Sequence, residues 1–109
     1  MRDLPKAART AIRQLASIAY ERELSAELVK LQHRFEEWHR EEIDAFDLEK
    51  SIHAFHNGSA RELFNRYAAG TMLDHAVAGA VLSGAIQEDE VPEAAREHIM
   101  RLVTLFRSL

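Results

Sequence analysis

The chain has 109 residues, is 47% hydrophobic and 29% charged, has no cysteine and carries a formal net charge of −4. This length and composition describe one helical domain, residues 1–109, with a single core. The acidic balance excludes a dedicated nucleic-acid binder, whose affinity needs a basic face on phosphate, and the missing cysteines exclude disulfides, thiolate metal sites and thiol catalysis.

Helix formers dominate, and no segment alternates apolar and polar residues at period two, so the expectation is all-α with no strand. Asp3 and Pro5 open a first helix on which Leu4, Ala8, Ala11, Ile12, Leu15 and Ala19 recur at three and four residues. A second stripe follows, Leu24, Leu28, Leu31, Phe35 and Trp38, about 120° around the helix from the first. Either the helix breaks between Arg22 and Ser25, or one long helix shows two faces to two partners. The run Glu21, Arg22, Glu23, Leu24 favours continuity. No apolar leader follows the first residue, so no secretory signal is expected and the setting is read as cytoplasmic.

The acidic run Glu41 to Asp47 interrupts the stripe, and Asp47 is placed to cap a short helix reaching about His56. Asn57 and Gly58 are expected to end that helix, with Ser59 and Glu62 forming a capping box for the next. From Ala60 onward Leu63, Phe64, Tyr67, Leu73, Val77, Ala80, Val81 and Gly84 keep helical period, with a kink near Gly70 and Thr71. Within Tyr67–Gln87, Asp74 and His75 leave only Ala76 to Ile86 free of charge, too short to cross a bilayer. Acidic residues 88 to 90 make a loop, Pro92 begins a last helix, and Ala95, Ile99, Leu102, Val103 and Phe106 form its buried stripe. The expected architecture is a bundle of four or five helices, with a long N-terminal helix or helical hairpin. The small residues Ala76, Ala80 and Gly84 invite close approach of another helix, with Phe35 and Trp38 packing opposite and Phe46, Ile52 and Phe55 covering an end.

Six histidines are the richest chemical feature. Glu49, His53 and His56 stand at i, i+4 and i+7, which in an α-helix shares one face and matches the ligand count of a catalytic zinc site or a facial iron triad. Glu36 and His39 form one Glu-x-x-His, half of the pattern used by carboxylate-bridged di-iron bundles, and no second copy occurs. The segment from His53 to Ser59 resembles the phosphate-accepting histidine motif of histidine phosphotransfer domains, helical bundles of about this size, which implies His53 as the accepting residue. Its glycine falls one residue late, after Asn57, so the family is not assigned. Asp44 to Phe55 lacks the glycine and terminal acid of a calcium loop. No nucleophile elbow or phosphate-cradling glycine loop occurs.

A helix of up to forty residues outruns a compact domain of this length, and one of its two stripes stays uncovered without a partner. The leading expectation is therefore a non-enzymatic protein-interaction or regulatory module, acting as a homodimer or with a protein partner. Leu15, Leu24, Leu28, Leu31 and Phe35 are expected at the interface, and no cofactor is expected. The alternative from another class is a zinc- or iron-dependent hydrolase or metal-binding protein using Glu49, His53 and His56.

Overall fold

The computed structural model describes residues 1–109 as an all-α fold of four helices without strands. Helix α1, Lys6–His39, is unbroken through Arg22–Ser25. Its 34 residues run about 51 Å at 1.5 Å per residue and account for the longest dimension of the molecule, 53 Å. The two stripes diverge as their phases require: Ala8, Ala11, Ile12, Leu15, Ala16 and Ala19 are buried, and beyond Ala19 no residue of α1 is.

The N-terminal half of α1 thus belongs to a bundle with α3, Leu73–Ser83, and α4, Glu93–Arg107. Ile12, Val77, Ile86, Val91, Ile99 and Val103 are the largest side chains closed off completely in this core. Beyond Leu24, which still packs on the core, α1 leaves the bundle and runs beside α2, residues 45–68, as a two-helix arm. The radius of gyration, 17.1 Å, exceeds the roughly 13 Å of a compact domain of this length for that reason.

Chain reversal at the tip of the arm takes residues 40–44, where Glu41 adopts a left-handed φ of 63°. The cap of α2 is Asp44, not Asp47. Asp44 Oδ1 accepts from the Asp47 amide at 2.8 Å, and Asp47 Oδ2 accepts from the Asp44 amide at 3.2 Å, so Asp47 is the third residue of a reciprocal capping box.

The expected stop at Asn57 and Gly58 does not occur, and Ser59 caps nothing. The chain continues through π-helical Phe55–Ala60, one α turn at Arg61–Leu63 and π-helical Phe64–Ala68. Ending at Gly58 would remove Leu63 and Tyr67 from their buried places. A wide turn, which bonds each amide five residues back, retains them at the cost of looser backbone geometry. Since each such turn holds one residue more than an α turn, it also rotates everything beyond it by about 100° relative to an α-helical wheel.

After α2 the backbone turns at Gly70, where a Cβ would lie 2.6 Å from the Arg66 carbonyl oxygen, so only glycine fits. Gly84 ends α3 in the left-handed conformation at φ 87°. The acidic residues Glu88–Glu90 form a 3₁₀ turn, and Pro92 precedes α4. Arg22 clamps this connection to the middle of α1: its Nη1 donates to Glu90 Oε2 at 2.8 Å and to the Ala85 carbonyl at 2.9 Å, and its Nη2 to Glu90 Oε1 at 2.7 Å. Of the small-residue strip, Ala80 is buried but Gly84 serves as the cap and faces solvent. The aromatic residues expected against that strip are elsewhere: Phe35 and Trp38 lie on the arm, 42% and 44% exposed, because the helix carrying them has left the bundle. Phe46 and Ile52 are exposed as well.

Candidate functional site

The register of the arm is set by Arg34, whose Nε donates to Ser51 Oγ at 2.9 Å while its Nη1 pairs with Glu37 at 2.8 Å. Leu48 is buried between the two helices and Phe55 half-buried. With only two layers, an arm can bury the line along which its helices meet but not the flanks beside it. On one flank Leu24 and Leu31 are half-buried and Leu28 and Phe35 exposed. Tyr20, His56 and Phe64 line a shallow cavity of about 560 Å³ toward the root of the arm. Trp38 lies on the same stripe of α1 near the tip. Four of the five expected interface residues, Leu24, Leu28, Leu31 and Phe35, therefore retain exposed surface, whereas Leu15, 2% exposed, is spent on the chain's own core because it belongs to the first stripe.

Glu49 and His53 keep their expected relation one helical turn apart, with His53 Nε2 3.6 Å from Glu49 Oε1 and both side chains largely exposed. His56 falls inside the first π turn and lines the other cavity, with Tyr20 and Phe64 rather than with Glu49 and His53. No three His, Asp or Glu side chains of one chain stand where they could share a metal ion. Glu36 and His39 are solvent-facing at the tip.

A polar cluster that the sequence reading missed lies at the root of the arm. Asp74, 5% exposed, is the one buried charged residue. Its Oδ2 accepts from His98 Nε2 at 2.9 Å, and its Oδ1 accepts from His75 Nδ1 at 2.9 Å and from the His75 amide at 2.9 Å. An ionised carboxylate only accepts, so each ring nitrogen facing it carries its proton. Burial pushes the Asp74 pKa up, but the bonds from His98 and His75 outweigh it and hold the carboxyl at about 2. His75 also stacks obliquely on Phe106, ring centres 5.6 Å apart. On its other side it borders an open cavity of about 630 Å³, shared with Glu23, Arg66, Tyr67 and the small residues Ala76, Gly79 and Ala80. There the Tyr67 hydroxyl donates to Glu23, and burial together with that carboxylate pushes the phenol pKa up. Arg66 lies over the Tyr67 ring and 3.5 Å from Glu23. The cluster ties α3 to α4 and α2 to α1. Its one trace in the sequence is a charged residue inside an otherwise apolar helix, which helical period alone does not connect to His98.

Comparison of the chain with protein-family models, curated proteins and solved structures returns no match. The geometry itself defines the class: a helical bundle extended by a two-helix arm with an open apolar flank. No helix is long and apolar enough to cross a membrane.

Proposed function

We propose that the protein is a non-enzymatic interaction module that self-associates through the flank of its arm. The observation that supports this reading is the uncovered apolar stripe itself. Leu28, Phe35 and Trp38 stand exposed on a helix that has left its bundle, in a molecule whose core is closed without them. Association is favoured by about 25 cal/mol for each Å² of such surface a partner removes from water, and large side chains gathered on one face are the usual mark of a contact surface. The metal-binding alternatives have less to stand on, since no three His, Asp or Glu side chains assemble where they could share an ion.

Sedimentation at micromolar concentration is the test. The expected species is a dimer, and Leu28→Glu with Phe35→Glu should return it to monomer without loss of helical content, because neither side chain is closed into the core. A wild-type monomer of 12.4 kDa would overturn the proposal.

A further inference from the structure

The self-association reading leaves the occupant's orientation open, and the distribution of charge along the same stripe of α1 narrows it. Residues spaced by three and four continue that stripe in both directions from Leu28. Toward the N-terminus come Leu24, Tyr20, Ser17, Arg13, Thr10 and Lys6; toward the tip come Leu31, Phe35 and Trp38. Lys6, Arg13 and Ser17 are exposed. The stripe is thus basic at the root, apolar in its centre and bounded by an acidic tip, residues 36–49, which hold seven carboxylates against the single cation Arg40.

Neither end neutralises itself. Lys6, Arg13 and Arg61 take no part in the ion pairs of the chain, and Arg61 lines the cavity beside Tyr20 and Phe64 on this flank. At the tip, Glu36 and Glu41 are likewise without a cation, while Glu37 is held by Arg34 at 2.8 Å and Glu42 by Arg40 at 3.0 Å. A parallel pair of arms would bring two acidic tips together. An antiparallel pair brings each tip onto the partner's basic root, with the apolar centres still facing one another.

We infer that the occupant of the flank is a second copy of this chain, laid antiparallel about a two-fold axis near Leu28, so that the acidic tip of each arm meets Arg13 and Arg61 of the other. This rests on the self-association proposed above. The size is adequate: from Ser17 to His39 α1 runs about 33 Å and, with α2 beside it, offers a face about 20 Å wide. That footprint, about 650 Å² before side chains interdigitate, is of the order of the ~800 Å² per partner that stable dimers bury. A two-fold axis makes the contact self-complementary and closed, so it yields a dimer and no filament.

The absence of native cysteine makes orientation directly measurable. Ser17 and His39 are exposed and equidistant in sequence from Leu28, so the axis would place Ser17 of one copy beside His39 of the other. Ser17→Cys and His39→Cys are each purified, checked for helical content by circular dichroism, and oxidised alone and as a mixture. The expected result is a disulfide-linked heterodimer in the mixture and none in either variant alone. Arg13→Glu with Arg61→Glu should raise the dimer dissociation constant tenfold or more at low salt, and the effect should shrink as salt screens it. Cross-linking of each variant with itself would overturn the antiparallel arrangement while leaving self-association in place. A monomer by sedimentation, with no cross-link in any combination, would overturn both.

Discussion

His98 Nε2 donates to Asp74 Oδ2 across 2.9 Å and thereby joins the first turn of α3 to the middle of α4, at the one buried charge in the molecule. The same carboxylate holds His75 through its ring and its amide, so a single side chain satisfies three donors. Its position near a helix N-terminus also suits a negative charge.

Asp74→Ala removes the acceptor of both imidazoles and should cost about 1–3 kcal/mol by thermal or denaturant unfolding, with Asp74→Asn costing less. The pH dependence follows from the lowered pKa. A carboxyl held at about 2 when folded, and at its ordinary value near 4 when unfolded, contributes stability that is complete above about pH 4 and is lost as pH falls toward 2. Glu90, held at about 2 by the hydrogen bonds from Arg22 and from the Gln87 amide, adds to the loss in the same window. Asp74→Asn should therefore flatten the acid limb of the stability curve without abolishing it; an unchanged limb would show that the pair is not coupled to folding.

The tip of the arm stores backbone strain. Glu41 sits at φ 63°, where a Cβ crowds the following carbonyl at a cost on the order of 1–2 kcal/mol, and its side chain makes no ion pair or hydrogen bond that requires glutamate. Glu41→Gly should raise stability by about 1 kcal/mol in denaturant unfolding, net of the greater freedom glycine has in the unfolded chain. No gain, or a loss, would mean that the carboxylate has a role the backbone does not show.

Two glycines of α3 should respond in opposite directions. Gly79 lies in the interior of the helix with open space where a Cβ would project, so Gly79→Ala should stabilise by about 0.5–1 kcal/mol. Gly84 has equal space but a left-handed φ, so Gly84→Ala should destabilise by about 1–2 kcal/mol. Melting temperatures of the two single variants decide it, and equal shifts would contradict the assignment of Gly84 as the cap.

Much of the fold was legible from periodicity, because burying one face of a helix leaves a local repeat in the chain. The stripes of α1 separate where their phases change, the uninterrupted helix formers from Glu21 to Leu24 carry it through, and Ala95, Ile99 and Val103 mark the inner face of α4. Local signals misled wherever a distant contact outweighed them. Asn57 and Gly58 have the composition of a helix end, yet the chain runs on through a π turn that keeps Leu63 and Tyr67 packed, and His56, inside that turn, borders the cavity of Tyr20 and Phe64 while Glu49 and His53 border another. Phe35 and Trp38 read as core by residue type, but exposure depends on where a helix goes after it is made, and α1 goes beyond its bundle. The link from Asp74 to His98 spans 24 residues and two helices. Helix content is written in neighbours three and four apart, so the sequence alone determined that this chain is helical and where its faces lie; which face meets another, and which carboxylate meets which imidazole, only the tertiary packing decided.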